Sequence, residues 1–496
     1  MAVYTARDGR AALETEFKLI GSHADLRNAF DALNGGSETV RRLHSTYHDT
    51  LDDDLWRRGL TLRIRDAGAE SAEVTLKEER GANVQRREWT VPARGDGLIA
   101  YRFPQAVTGT RTAGVSERDL VPRFETDVVR RSKDVSFGAT RVELSLDSGQ
   151  ITAAGRRVDI AELEFELVRG STAAMLAAAR RLVGPHRLAV GSRSKAARGM
   201  ALLGASSPTP KAVNPAVLSS DTVGGAFGKV VGSVAAHLMG NVAAVAGQDP
   251  EGVHQLRVGL RRLRCALLVF GNRGNPGAAV IDHAARHALG KLGRARDADV
   301  FVLETLDGLG DCGGRLTGLR RAAESHRSLA YDDVRRLLAG ETFNRLLVDV
   351  MATTVDPLPL VHEPSRPLIR AASATLARRH RKVVRTGADF ATLTAPQRHR
   401  VRIAVKKLRY ACTYLAGLRE QESTEHYLAC LAQLQQRLGL ANDAIVAVRL
   451  ANDLAATPAE ASGSLLVRAW CRDRLRALEP DLRCAWDAFA AAKPFW

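Results

Sequence analysis

Glu14, Glu16 and Lys18 stand at alternate positions in Glu14-Thr15-Glu16-Phe17-Lys18-Leu19. On a strand, alternate side chains share a face, so these three charges point one way and Phe17 and Leu19 the other. Two adjacent carboxylates suit a hard cation such as Mg²⁺. An ammonium beside them suits a phosphate oxygen. A solvent-facing amphipathic strand would show the same pattern, and one short motif does not decide between the two.

The elements that must position these residues repeat the pattern. Arg63 and Arg65 share a face in Thr61-Leu62-Arg63-Ile64-Arg65, and Lys77 lies on the polar face of Glu73-Val74-Thr75-Leu76-Lys77. Arg86, Glu88 and Thr90 share a face, as do Arg141, Glu143 and Asp147. Glu162, Glu164 and Glu166 put three carboxylates in register. Each segment fits a half-buried strand. Several such strands predict a sheet curled around an ionic interior, since inward positions fill the lumen of a small closed barrel. Spacing alone implies an ionic lumen in which a metal is plausible.

The set resembles the CYTH superfamily of triphosphate tunnel metalloenzymes, whose signature Glu-x-Glu-x-Lys matches Glu14, Glu16 and Lys18. The resemblance covers residues 1 to about 200. It implies an antiparallel β-barrel with helices, forming a triphosphate tunnel. It also implies that Glu14, Glu16, Asp147, Glu162 and Glu164 hold one or two Mg²⁺ or Mn²⁺ ions. Arg63, Arg65, Lys77, Arg86 and Arg141 would grip phosphates, with Lys195 as the terminal basic residue. Lys18 would reach the scissile end, and Tyr47 and Arg130 are further candidates for the site. Hydrolysis of such a substrate needs neutralised phosphoryl oxygens and a nucleophile in line.

The second half reads differently. Asp249-Pro250 starts a helix with an N-cap and a proline at the first helical position. On it, His254, Arg257, Arg261 and Arg264 fall within a stripe of roughly 80°. The stripe is about 15 Å long at 1.5 Å per residue, which suits an extended polyanion better than a compact ligand. The helix recurs 145 residues later: His399, Arg402, Lys406, Lys407 and Arg409 align with His254, Arg257, Arg261, Arg262 and Arg264. A second match, Leu292–Asp297 with Leu438–Asp443, falls at offset 146. The fold class is therefore α+β, a barrel followed by an all-α domain of two pseudo-symmetric helical repeats. This half resembles the CHAD domain, and the resemblance implies polyphosphate as the ligand of these ten residues. His254 and His399 lie on the basic stripe, as hydrogen-bond donors to phosphate.

Charge supports the division. Residues 1–200 carry 32 Lys and Arg against 28 Asp and Glu, a net of +4, leaving +13 of the chain's +17 to the rest. That excess steers polyanions. The expected domains are 1–204 and 215–496, with repeats about 215–355 and 365–496, joined by a linker at 205–214 rich in Pro and Ser. All six cysteines lie beyond residue 264 and none forms a CxxC, so neither a zinc ribbon nor a redox pair is indicated. No apolar leader core opens the chain and no membrane run is evident. A cytoplasmic protein is expected, with polyphosphate granules as a candidate location given that ligand. Aromatic residues make up 5% of the chain and none interleaves the basic stripes, which argues against nucleic acid. The alternatives are a non-enzymatic polyphosphate binder, which has no use for so many acids, and a class IV type adenylate cyclase, for which no base pocket is legible.

Overall fold

The computed structural model describes residues 12–66, 72–79, 85–93, 112, 114–205, 209–272, 274–310, 312–419 and 421–496. The chain divides into two compact units: Met1–Pro210 with Leu338–Val355, and Lys211–Leu337 with Asp356–Trp496.

The first unit is an antiparallel barrel. Its strands are β1 (Ala12–Ile20), β2 (Thr39–Asp49), β3 (Leu60–Asp66), β4 (Ala72–Glu78), β5 (Gln85–Ala93), β6 (Val121–Phe137), β7 (Thr140–Ala153), β8 (Arg156–Arg169) and the short β9 (Ala189–Val190). They are ordered β5-β4-β3-β2-β6-β7-β8-β1-β9, and β5 pairs back onto β1. Glu14 lies opposite Arg86, and this pairing closes an eight-stranded barrel. Closure removes the sheet edges.

The barrel is polar inside and apolar outside. Cross-strand partners share a face. Lys18 sits opposite Glu164, Arg63 opposite Thr75, Arg130 opposite Asp147 and Asp147 opposite Glu162. The intervening residues, Phe17, Leu19, Leu144, Leu146, Leu163 and Phe165, face outward and are buried. Helices His23–Asp31 and Thr172–Val183 cover part of this outer surface with Leu26, Phe30, Met175 and Leu176. At one end the inward row turns apolar. There Tyr47, Phe124, Val128, Ile151 and Ile160 pack against Ala196 and Met200 of helix Lys195–Leu202. Gly199 makes this packing possible, because a Cβ at that position would run into the Phe124 ring.

The helix Glu341–Val355 departs from the expected boundary. By sequence it falls within the first helical repeat, yet it packs with the barrel unit. Its Asn344 Oδ1 accepts from the β9 amide of Val190 at 2.9 Å, and Asp349 pairs with Arg180 at 2.5 Å. Helical periodicity marks which face is buried, not what buries it.

The second unit is helical. Val223–Ala246, Pro250–Phe270, Pro276–Val300 and Thr317–Ala339 form one half. Leu368–Thr386, Ala395–Leu415, Gln421–Asp453 and Pro458–Ala491 repeat that order. The two basic helices, Pro250–Phe270 and Ala395–Leu415, pack on each other across the halves. The first is capped by Asp249 with Pro250 following; the second has a capping box between Thr394 and Gln397. Val223–Ala246 is long and apolar enough to cross a bilayer by length and composition, and its buried stripe packs on Pro250–Phe270. All six cysteines are free.

Candidate functional site: an ionic tunnel and a basic helix pair

In the tunnel, the carboxylates fall into two groups. Asp147, Glu162 and Glu164 form the first, with ligand oxygens within 4.8 Å of one another. Three cations converge on it. Lys195 Nζ lies 2.7 Å from Asp147 and 2.9 Å from Glu164, and also pairs with Glu162. Lys18 Nζ is 3.0 Å from Glu164 and 3.3 Å from Glu162. Arg130 forks onto Asp147 with two bonds of 2.7 Å and pairs with Glu164. Burial disfavours the charge on Lys18 and Lys195, but the facing carboxylates outweigh it and raise both ammonium pKa values. Burial likewise opposes ionisation of Glu164, yet Lys195, Lys18 and Arg130 hold it well below the usual range.

The second group surrounds Lys77, which pairs with Glu14, with Glu16 at 3.7 Å and with Glu88 at 3.1 Å. Glu88 is held down at about 2: burial opposes this, and Lys77 and Arg63 prevail. Glu166 lies opposite Glu16 on β1 and Glu143 on β7. Burial pushes Glu166 up to about 7, with Glu14, Glu143 and Glu16 adding repulsion. Glu14 is raised mainly by burial. This side of the lumen therefore carries more negative charge than Lys77 compensates.

Arg65 has the opposite imbalance. Its Nε donates to Ser45 Oγ at 3.2 Å, and burial and the adjacent Arg63 pull it down to about 10. Arg63 Nη2 donates weakly to Thr75 Oγ1 at 3.4 Å and lies 4.0 Å from Glu88; burial opposes its charge, but Tyr47, Glu88 and Glu14 outweigh burial and raise its pKa. Among the described residues its buried Nε has no hydrogen-bond partner. Two neighbouring guanidiniums with donors to spare suit a phosphate, which offers paired oxygens. The Tyr47 ring stacks on Phe124 at 4.4 Å in the apolar floor, beside Arg63.

The structure thus brings Glu14, Glu16, Lys18, Arg63, Arg65, Lys77, Arg130, Asp147, Glu162, Glu164 and Lys195 to one lumen. It does not bring Arg141 there. Arg141 keeps the face of Glu143 and Asp147, but it stands one residue into β7, at the end of the barrel, and pairs with Asp134 at 2.6 Å, half-exposed. The Arg86 side chain lies outside the described residues. Glu166, Glu143 and Arg198 are additions. Glu166 was legible as the third carboxylate of its strand. Arg198, 3.7 Å from Glu162, follows Lys195 by three residues, the spacing that places two helical side chains on one face.

The carboxylate set fits a hard divalent cation. Among the described residues Glu162 Oε2 is buried without a hydrogen-bond partner, and Glu14, Glu16, Glu143 and Glu166 repel one another. Both are conditions that a cation relieves.

In the helical unit, Arg257, Arg261, Arg402 and Lys406 lie within electrostatic reach of one another, with Asp297 and Asp443 beside them. Arg402 is 4.0 Å from Asp443, and among the described residues Arg257 Nη1 is buried without a hydrogen-bond partner. Burial and Arg261 pull Arg257 down to about 10. Burial, Arg261 and Arg402 pull Lys406 down to about 6. His254 adjoins this cluster, its pKa lowered by burial and by Arg296. His399 is exposed, its Nδ1 at 2.9 Å from Asn442 Oδ1. Arg409 is half-buried on the same helix.

Arg262 corrects the expectation for this surface. It is 2% exposed, and its Nη2 donates to Val213 O at 2.7 Å and Asn214 Oδ1 at 3.2 Å. It ties the basic helix to the segment before it and has no access to a polyanion. Arg264 is held at 2.7 Å by Asp282, and Lys407 lies near Arg264 and Arg379 rather than the central cluster.

Residues 12–200 match the CYTH domain family and residues 229–452 the CHAD domain family. The chain is a CYTH domain followed by a CHAD domain. The inorganic triphosphatase of Haemophilus influenzae is 30% identical over 174 residues, which span 32% of this chain and 46% of that protein, under half its length. The crystal structure of the CHAD domain from the plant Ricinus communis is 28% identical, covering 57% of this chain and 97% of that one, with a TM-score of 0.51. A putative adenylyl cyclase from Hippeastrum, described as having a dominant triphosphatase activity, is 19% identical, covering 39% of this chain and 98% of that one, at a TM-score of 0.29.

Proposed function

We propose that the barrel hydrolyses inorganic triphosphate or a closely related triphosphate with the help of Mg²⁺ or Mn²⁺, and that the helical unit binds polyphosphate in the same, cytoplasmic, protein. The observation that carries the reading is the charge division inside the barrel. Arg65 is pulled down by burial and by Arg63, and among the described residues the buried Arg63 Nε has no hydrogen-bond partner, while Glu14 and Glu166 are pushed up by burial and by neighbouring carboxylates. A triphosphate with a divalent ion relieves both.

In this reading Arg63 and Arg65 fix the non-reacting phosphates from β3, and Lys77 adds a point charge from β4. Glu14, Glu16 and Glu166 hold the metal, with Asp147, Glu162 and Glu164 as a second set of ligands. When bound, the ion neutralises phosphoryl oxygens and lowers the pKa of water. Lys195 and Lys18 balance the deep carboxylates. The apolar floor of Tyr47, Phe124 and Met200 excludes water from that end of the lumen.

The helical unit's ligand is read from its central cluster. Four cations pressed together, one of them an orphaned buried guanidinium, are relieved by a chain of phosphates. The duplicated helices present two such stripes.

A phosphate-release panel on the full chain tests the barrel assignment. Tripolyphosphate, pyrophosphate and ATP are each offered with and without Mg²⁺ or Mn²⁺, and cyclic AMP is assayed alongside. Metal-dependent release from tripolyphosphate is expected. Cyclic AMP formation from ATP would instead favour the cyclase, and no turnover of any substrate would leave a binding protein.

A further inference from the structure

The second helical half carries a surface that the basic cluster does not use. Helices Gln421–Asp453 and Pro458–Ala491 flank an open groove of about 730 Å³, lined by Val448, Leu465, Arg468, Ala469, Arg472, Leu475, Arg476 and Glu479. Its apolar side is real surface: Leu465 is 61% exposed. Arg468, Arg472 and Arg476 are spaced four residues apart and so form a rail on one face of the helix. All three are exposed. Among the described residues Arg468 and Arg476 have no ion-pair partner, and Arg472 reaches only its neighbour Asp473, at 3.5 Å.

The duplicated halves differ in how this pair of helices is held. In the first half Asp299 is fully buried and ties the equivalent helices together, accepting from Arg327 Nε at 2.7 Å and from the Tyr331 hydroxyl at 2.9 Å. At the 146-residue offset the position is Ile445, which is 41% exposed. The second helix pair has thus exchanged a buried ionic tie for an exposed aliphatic side chain at that position.

We propose that this groove docks an amphipathic helix of a partner protein, with acidic side chains along one edge and aliphatic side chains along the adjoining stripe. The aliphatic floor would take the apolar face, as in helix-in-groove recognition. The rail would pair with carboxylates at every fourth position. From Leu465 to Glu479 the groove runs about 21 Å at 1.5 Å per residue, the length of a four-turn helix. A polyphosphate chain would use the arginines but not the floor, which is why an amphipathic peptide fits better.

The test uses the full chain and three probes in fluorescence anisotropy at 0.15 M salt. They are a 16-residue helix-forming peptide with Glu along one edge and Leu on the adjoining stripe, a scrambled peptide of identical composition, and long-chain polyphosphate. The patterned peptide should bind at least tenfold more tightly than the scrambled one. R468Q/R472Q/R476Q should weaken it at least tenfold, and L465D at least fivefold. Both changes fall at exposed positions, and unchanged thermal melting confirms the fold. Polyphosphate affinity should stay within threefold in both variants. Equal binding of the two peptides, or peptide binding unmoved by either variant, overturns the proposal. A tenfold loss of polyphosphate in the arginine variant with the peptide unaffected overturns it too, and makes the rail a phosphate track.

Discussion

Arg65 and Lys406 are cations whose charge the fold does not compensate. Arg65 sits in the lumen, and among the described residues Ser45 Oγ is its one hydrogen-bond partner. Replacing Arg65 with Gln removes a charge-assisted phosphate contact, of order 1.5–3 kcal/mol. The Michaelis constant for tripolyphosphate should rise at least tenfold, measured by steady-state phosphate release. Lys406, drawn down to about 6, is largely neutral at pH 7.5 in the free protein. A bound polyanion favours the ammonium, so binding near neutral pH takes up a proton. Affinity for polyphosphate should therefore rise as pH falls from 8 to 6, and Lys406→Arg, charged throughout, should flatten that rise. Isothermal titration in buffers of different ionisation enthalpy reads the proton uptake directly. The sign also fixes stability. The unfolded chain binds this proton more readily between pH 6 and pH 10.5, so the stability cost of Lys406 is absent above that window, grows as pH falls through it and is greatest below pH 6.

Most of these elements were legible because period-2 alternation reports a strand's two faces even when the inside is the charged one. The carboxylates and cations of β1, β3, β4, β7 and β8 were found that way. Arg141 was misplaced because alternation gives a residue's face and not its depth: it shares the face of Asp147 but lies at the start of β7, where Asp134 takes it. Arg262 was misplaced because it entered through its alignment with Lys407, not through the basic stripe, and the partners that bury it, Val213 and Asn214, come from another segment. The basic helices themselves carry the next prediction. Arg257 with Arg261 and Arg402 with Lys406 occupy equivalent positions in the duplication and meet in one cluster. Changing either pair to Ala should weaken polyphosphate binding at least tenfold at low salt, with the greater loss for longer chains. Tripolyphosphate turnover should survive. A silent pair opposite an essential one would confine the site to one repeat.

At the scale of the molecule, the function proposed above gives chemistry to the barrel and capture to the helical unit. Most of the excess positive charge belongs to the helical half, whereas the barrel balances its charges internally. Composition and duplication made that division readable. The allegiance of helix Glu341–Val355 was not readable, because its partners Val190 and Arg180 lie more than 150 residues away along the chain. The account's central claim is that the barrel lumen is a metal-dependent triphosphate site. It is tested most directly by phosphate release from tripolyphosphate at saturating Mg²⁺, comparing the native chain with a Glu14→Gln, Glu16→Gln double variant whose circular dichroism matches it. The double variant should lose at least a hundredfold in turnover, and the native chain should lose its activity to a chelator and regain it with Mg²⁺ or Mn²⁺. Turnover that is unchanged in the double variant, or indifferent to the chelator, would contradict the account.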